Sequence, residues 1–172
     1  MAGAEAAGWS VMRGMETYQR VLDGDLLIRS LTTDDLPQAL LIERQGHSYP
    51  WAETLFRDCF RANYRLWAAC HGDLLVGYAV VAYMFDEAHL LNLCVDPRWQ
   101  GQGAGRQLLR HLLSEAVREQ MAQTILEVRL SNDTAHRLYM VEGFEEIGRR
   151  PDFYPNGNGR EDARVMALQF PA

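Results

Sequence analysis

A glycine-rich segment is the part of this sequence whose composition points most directly to chemistry. The segment reads Gly101, Gln102, Gly103, Ala104, Gly105 and Arg106. Glycines let a backbone approach a ligand closely, and the N–H groups and dipole at a helix start attract an anion. The spacing fits neither a dinucleotide-binding fingerprint, which needs glycine at position 106, nor a P-loop, which needs Gly-Lys-Ser/Thr. The segment predicts a phosphate-binding loop, with a flexible turn before a helix as the alternative.

The elements that must position this loop follow from the spacing of apolar residues. A strongly amphipathic helix follows the loop, with apolar residues at helical spacing between Leu108 and Val117. Thr124–Leu130 alternates apolar and polar residues and predicts a strand. The last two strands are predicted at residues 144–149 and 164–168, joined by a loop that contains prolines and glycines. The predicted order is β-α-α-β-β-β-α-β-α-β-β, an α/β protein with a mixed sheet and helices packed on it.

Composition and charge limit the classes of partner. The chain has 172 residues and a net charge of −6, which argues against direct binding of nucleic acid. Three cysteines without metal-ligand spacing predict reduced, buried thiols in a cytoplasmic protein. The longest apolar run is too short to span a membrane. Residues 1–24 are interpreted as an extension of unknown role, and residues 25–172 as one domain, expected to be a monomer.

Two motifs resemble a known family. Residues 92–97, Asn-Leu-Cys-Val-Asp-Pro, precede Gln100-x-x-Gly103-x-Gly105, and together they resemble the acetyl-coenzyme A signature of the GCN5-related N-acetyltransferases. The resemblance covers roughly residues 26–170. It is greatest to the bacterial ribosomal-protein alanine N-acetyltransferases of the RimI type. That similarity rests on Tyr49-Pro50-Trp51, Leu126-Glu127-Val128-Arg129, Ser131-Asn132, Leu138-Tyr139, Gly143-Phe144, Tyr154-Pro155, Gly159–Ala163 and Met166-Ala167-Leu168.

The resemblance implies the fold of that family, with a mixed, mostly antiparallel sheet flanked by about four helices. It also implies acetyl-CoA as co-substrate, with its pyrophosphate on the N–H groups of residues 101–106. The pantetheine arm would pair as an added strand with the backbone of Leu93, Cys94 and Val95. Asn132 would hold the same arm from the start of the last helix. No metal is needed for this chemistry.

The same resemblance assigns the proton transfers. Glu127 matches the general base, acting through a water, and Tyr139 matches the general acid that protonates the departing thiolate. From the residues alone, Glu127 is an exposed strand residue paired with Arg129 or another cation. Tyr139 is, on the same terms, a core aromatic residue on a helix.

The implied acceptor is the N-terminal α-amine of an alanine-starting small-subunit ribosomal protein. Two loops would build its groove, around residues 49–51 and 152–162. The residues expected to contact the acceptor are Tyr49, Trp51, Asp152, Tyr154 and Asp162. Each is an ordinary loop residue on the alternative interpretation, and Trp51 a core anchor. Two other functions stay open: acetylation of lysine side chains or a small amine, and a non-catalytic module that binds coenzyme A or a partner.

Overall fold

The computed structural model describes residues 26–172, and the predicted extension at residues 1–24 lies outside them. Seven strands are found in the described residues: β1 (Leu27–Ser30), β2 (Tyr64–His71), β3 (Leu74–Met84), β4 (Glu87–Val95), β5 (Gln123–Arg129), β6 (Glu145–Asn156) and β7 (Gly159–Gln169). The α-helices of the same part of the chain are α1 (Leu36–Gly46), α2 (Glu53–Asp58), α3 (Ala104–Arg118) and α4 (Asp133–Val141). Two short 3₁₀ turns cover Thr33–Asp35 and Pro97–Trp99.

The strands form one sheet in the order β1-β2-β3-β4-β5-β7-β6. Every neighbouring pair is antiparallel except β4 and β5, which run parallel. The α/β class and the order of the elements confirm the prediction from apolar spacing, and the mostly antiparallel sheet with four α-helices among residues 26–172 confirms what the family resemblance implies.

Apolar side chains cover both faces of the sheet. On one face, Leu108, Leu109, Leu112 and Leu113 of α3 are buried against β3, β4 and β5, as the amphipathic pattern predicts. On the other face, α1 and Phe56 of α2 pack against β2, β3 and β4.

The last two strands are longer than predicted, and the predicted loop between them is wrong. β6 and β7 form a hairpin that continues past Arg150↔Ala163 to Asn156↔Gly159. Pro151 and Pro155 suggested a loop, but β6 lies at the edge of the sheet. An edge strand has a neighbour on one side only, so it tolerates proline, which has no backbone N–H to donate. Gly157, with a φ of 58°, makes the turn itself.

Three cysteines, Cys59, Cys70 and Cys94, are buried and unpaired in the described part of the chain, as predicted. Among the helices of residues 26–172, none has the length and apolar character needed to cross a bilayer.

Candidate active site between β4 and β5

The glycine-rich segment forms the entry into α3. Gly103 is the N-cap residue of this helix and has a φ of 89°, and Gly101 has a φ of 75°. This left-handed backbone explains glycine at both positions. Within residues 26–172, the N–H groups of Gly101 through Gly105 donate to no carbonyl of the chain, and the first α-helical bond runs from Gln107 N to Gly103 O. The turn thus presents a row of donors at the positive end of a 15-residue helix.

The cation in the first turn of α3 has an internal partner. Arg106 Nε lies 3.2 Å from Glu142 Oε1, and Arg110 Nε lies 2.9 Å from Glu142 Oε2. Glu142 is buried at the end of α4. The ion pairs therefore connect α3 to α4.

β4 and β5 separate after four paired residues. The parallel pairing runs from Glu87↔Gln123 to Leu90↔Leu126 and stops there. Both strands continue, β4 to Val95 beside β3 and β5 to Arg129 beside β7. The β4 edge from residue 91 to 95 consequently faces β5 without a strand partner, and an extended molecule can pair with it.

A β-bulge marks the point of separation. Val80 pairs with Asn92 and Val81 with Leu90, so Leu91 is an extra residue in β4. The extra residue reverses the alternation of the strand. Ala88 and Leu90 face the α3 side, and Leu93 packs on that side too, whereas Asn92 and Cys94 face α1.

The gap opens into a cavity of about 350 Å³. Its walls come from α1 and the following loop, β4, β5, the start of α4, and β6. The predicted site residues that line it are Glu127, Tyr139, Leu93, Asn132, Tyr49, Trp51 and Tyr154. The structure thus brings together residues that are up to 105 positions apart in the chain.

Glu127 projects from β5 on the face opposite Leu126 and Val128, as its alternation predicts. Its carboxylate pairs with a cation, and that cation is Arg150 of β6 rather than Arg129. Arg150 Nε lies 2.8 Å from Glu127 Oε1. The carboxylate therefore lines the cavity as one member of an ion pair.

Tyr139 combines a core position with access to the cavity. Its ring packs against Phe144, with ring centroids 5.6 Å apart, and the residue is buried among the α3-side core. Burial, with a smaller effect of the nearby Tyr154, raises the pKa of Tyr139 well above its usual value. The phenol is therefore a neutral O–H donor at and above physiological pH.

Asn132 and Cys94 use their side chains internally. Asn132 is the N-cap residue of α4, and its Oδ1 accepts a hydrogen bond from Ala135 N at 3.2 Å. The Cys94 thiol donates to Ile42 O in α1 at 3.7 Å, and burial raises its pKa to about 12. Cys94 is thus a protonated thiol that faces α1, and its backbone belongs to the open β4 edge.

Arg129, which was not among the predicted site residues, joins two walls of the cavity. The Arg129 guanidinium lies over the Tyr154 ring at 4.4 Å and over the Tyr49 ring at 5.4 Å. It also donates to Pro155 O at 2.7 Å and to Glu161 Oε1 at 3.0 Å. Arg129 therefore fixes the loop after α1 and the β6–β7 hairpin relative to β5.

Trp51 and Tyr49 occupy the loop after α1. Trp51 packs edge-on against Phe56, with ring centroids 5.2 Å apart, so it also anchors the α1-side core. The Tyr49 hydroxyl accepts a hydrogen bond from Gly157 N at 2.9 Å. This bond closes one side of the cavity by connecting the loop to the tip of the β6–β7 hairpin.

Asp152 and Asp162 shape the hairpin beside the cavity. Three residues of β6, from 151 to 153, lie opposite Asp162 alone, and Asp152 has a φ of 51°. Asp152 N donates to Asp162 Oδ1 at 3.0 Å. The two aspartates lie outside the residues that line the cavity.

A buried polar cluster lies at the inner end of the cavity. The Glu43 carboxylate of α1 accepts hydrogen bonds from Tyr78 Oη, from Asn92 Nδ2 at 3.0 Å and from Trp51 N at 3.0 Å. His47 Nε2 lies 3.3 Å from Asn92 Oδ1. The sequence signal for this cluster was a charged residue on the apolar face of α1, which alone did not identify partners on β3 and β4.

Potential metal ligands also meet in this cluster. Donor atoms of Glu43, His47 and Cys94 all lie within 4.8 Å of one another. Glu43, however, already accepts three hydrogen bonds, and the Cys94 thiol donates to Ile42 O. The cluster is thus a hydrogen-bonded network in which the carboxylate is satisfied by the chain itself.

The sheet that opens between β4 and β5, with a glycine-rich turn at the start of α3, defines the class. Residues 28–144 match the acetyltransferase (GNAT) family, and the chain belongs to it. The protein is an acetyltransferase, and this family uses acetyl-CoA.

Relatives with known names are similar over most of the chain. The ribosomal protein bS18 alanine N-acetyltransferase of Escherichia coli K12 is 42% identical over 141 residues, covering 82% of this chain and 95% of that protein. The enzyme of the same name from Haemophilus ducreyi is 34% identical over 143 residues, covering 83% and 99%.

A solved structure agrees with this relationship. The crystal structure of the E. coli ribosomal-protein-S18-alanine N-acetyltransferase has a TM-score of 0.82 to this chain at 40% identity. The match covers 86% of this chain and 95% of that chain.

Proposed function

We propose that this acetyltransferase transfers the acetyl group of acetyl-CoA to the N-terminal α-amine of an alanine-starting small-subunit ribosomal protein. The observation that carries the proposal is one cavity that both Glu127 and Tyr139 line, beside an unpaired β4 edge. The choice of substrate is supported by the E. coli and H. ducreyi relatives, whose names state ribosomal protein bS18 and alanine.

The residues that would hold acetyl-CoA fit its two polar regions. The N–H groups of Gly101 through Gly105, free of internal acceptors, match a pyrophosphate, whose negative charge the α3 dipole also favours. The open edge at Leu93, Cys94 and Val95 matches the amide-bearing pantetheine arm, which can pair with it as a strand does. Asn132, on the facing side of the cavity, would contact the same arm.

Two residues would move the protons of the reaction. Acetyl-CoA supplies the activated thioester carbonyl that the amine attacks. Glu127 accepts a proton from the acceptor amine through a water, and Tyr139 donates its phenolic proton to the sulfur that leaves. Backbone N–H groups of the open β4 edge stabilise negative charge on the carbonyl oxygen. The protonated, α1-facing thiol of Cys94 favours direct transfer over a covalent thioester on the enzyme.

The proton affinity of the acceptor supports an α-amine. A free α-amine has a pKa near 7.7–8.0, against about 10.4 for lysine. At neutral pH the unprotonated fraction of an N-terminal amine is therefore much larger than that of a lysine amine. A carboxylate base consequently has an easier proton to remove when the acceptor is an N-terminus. Glu127 is sufficient for that task without a stronger base.

A thiol-release assay with a panel of peptides tests the proposal. Peptides that begin with Ala, Ser or Met are compared with an N-terminally blocked peptide that carries lysine. We expect the highest kcat/KM for the free N-terminal Ala peptide and a loss of about 10²-fold or more in kcat for Glu127→Gln. Preference for the lysine peptide would overturn the choice of acceptor. Binding of acetyl-CoA without thiol release from any peptide would support a non-catalytic module instead.

A further inference from the structure

We propose that Arg150 is a positioning residue that holds the Glu127 carboxylate in one orientation for proton removal. This inference rests on the proposed role of Glu127 as the base. Arg150 Nε lies 2.8 Å from Glu127 Oε1. This contact engages one carboxylate oxygen, Oε1, and in the proposed role Oε2 accepts the proton.

The register of three strands explains how a β6 residue reaches β5. Arg150 pairs with Ala163 of β7, and Ala163 pairs with Arg129 of β5. Cross-strand partners point to the same face of a sheet. Ala163 has only a methyl group there, so the long Arg150 side chain can cross β7 and reach the β5 residue that precedes Arg129 on this face, Glu127.

The two residues that flank the bulge in β6 both contact Glu127. The three residues from 151 to 153 separate Arg150 from Tyr154 opposite the single residue Asp162. Arg150 contacts the carboxylate of Glu127, and Tyr154 Oη donates to its backbone oxygen at 3.2 Å. Because the bulge adds two residues, an even number, Arg150 and Tyr154 stay on the same face of β6.

Internal contacts hold the bulge in shape. Asp152 N donates to Asp162 Oδ1 at 3.0 Å, while Arg160 donates to Asp152 O at 2.7 Å and to Phe153 O at 2.8 Å. The Arg150 guanidinium also lies over the Phe153 ring at 5.5 Å. These contacts give Asp152 and Asp162 a role in building the segment that orients Arg150.

The exposure of the pair separates positioning from stability. The side chain of Arg150 is 58% exposed and that of Glu127 is 29% exposed. Ion pairs this accessible to water contribute little to folding. A base that is misplaced by about 1 Å, in contrast, can lose about 10²-fold in rate. Removal of Arg150 is therefore expected to affect turnover without unfolding the protein.

The test compares Arg150 with its chain neighbour. Arg149 is also an exposed β6 arginine, and its Nε pairs with Glu146 at 3.0 Å, away from the cavity. We expect Arg150→Ala to lower kcat about 10-fold to 100-fold, with the KM for acetyl-CoA changed less than about twofold. Arg150→Lys should recover part of the lost kcat, and Arg149→Ala should behave as the unchanged enzyme. Equal kcat values for Arg150→Ala and Arg149→Ala would overturn the inference.

A double-mutant cycle distinguishes this inference from the proposed function. In a Glu127→Gln background, Arg150→Ala should cause little further loss, because the carboxylate that it orients is gone. An undiminished loss in that background would show that Arg150 acts elsewhere and would overturn the inference alone. Full activity of Glu127→Gln itself would instead overturn the role of Glu127 as base.

Discussion

The burial and the contacts of Tyr139 and Glu127, more than their residue types, determine the proton-transfer chemistry open to these two candidate groups. Tyr139 lies in the core with its ring against Phe144, and its raised pKa keeps the phenol protonated even in alkaline solution. Glu127 lies on the cavity wall, paired with a partly exposed arginine. One group is thus a buried phenol, while the other forms an ion pair at the edge of solvent.

Replacement of Tyr139 by Phe tests the donor directly. Within residues 26–172 no hydrogen bond from the Tyr139 hydroxyl is found, so Tyr139→Phe should leave the unfolding midpoint in urea nearly unchanged. We expect kcat to fall about 10²-fold or more and the KM for acetyl-CoA to change little. Tyr83→Phe, a change at the far end of β3, is the matched control. Comparable turnover in both variants would remove Tyr139 from the proposed mechanism.

Site residues could be predicted where a local motif contains them. The glycine-rich turn and the alternation in β5 are local patterns, and the structure places Gly101, Gly103 and Glu127 as those patterns indicate. Arg150 and Glu43 escaped prediction because their partners lie 23 and 49 positions away, at Glu127 and Asn92. A charged residue in a sequence reveals its charge but not the strand that will lie beside it.

At the scale of elements, α1 lies close against β4. A Cβ on Gly46 would come within 2.5 Å of Cys94 Sγ. The sulfur is buried and fixed by its hydrogen bond to Ile42 O, so it has little room to move. The end of α1 and the buried face of β4 therefore have matched shapes, with a missing side chain on one and a sulfur on the other.

Two substitutions test this match. Gly46→Ala should lower the free energy of unfolding by about 1–3 kcal/mol, because overpacking forces the helix or the sulfur to shift. In Gly46→Ala with Cys94→Ala, the methyl group has room, and the double variant should be more stable than Gly46→Ala alone. Urea unfolding of the four proteins measures the coupling. Additive effects of the two substitutions would contradict the contact.

The elements that were predicted incorrectly share one cause. Prolines and glycines between residues 151 and 159 are typical of a loop, and only the tip of the hairpin satisfies that expectation. An edge strand tolerates residues that an inner strand does not, and nothing local in the sequence states that β6 lies at the edge. Strand order is a property of the whole sheet.

At the scale of the whole molecule, acid stability depends on a carboxylate near the start of the domain. Arg29 of β1 donates two hydrogen bonds to Asp35, at 2.7 and 2.8 Å, and Thr32 N donates a third at 2.8 Å. The bonds from Arg29, which outweigh desolvation, lower the pKa of Asp35 below its usual value. A lowered carboxyl pKa stabilises the folded state above the unfolded pKa of about 3.9, and this stability is lost as the pH falls further.

Asp35→Asn should therefore destabilise the protein in a pH-dependent way. At pH 7 we expect a loss of about 1–3 kcal/mol, since charge-assisted hydrogen bonds are weakened. The difference between the two proteins should narrow as the pH falls below about 4. Urea midpoints measured from pH 7 to pH 3 check this, and a difference that stays constant over that range would rule out the linkage.

The net charge of −6 gives a second prediction at this scale. An acidic protein attracts a basic peptide at long range. Salt screens this attraction, with a Debye length of about 10 Å at an ionic strength of 0.1 M. For an Ala-starting peptide rich in Lys and Arg, KM should rise as NaCl is increased. A peptide of equal length with Gln at those positions is the control and should respond much less. Equal salt dependence would exclude attraction by the whole molecule.

The bulge at Leu91 determines which face of the sheet each later residue of β4 occupies. What Leu91 contributes is a count of residues, because any side chain at this exposed position still turns Asn92 and Cys94 toward α1. Deleting one residue there would exchange the two faces from Asn92 to Val95 and leave Glu43 without its amide partner. A chain with one residue fewer between Leu90 and Asn92 would keep the side chains of residues 92–95 and present them on the wrong side of the sheet.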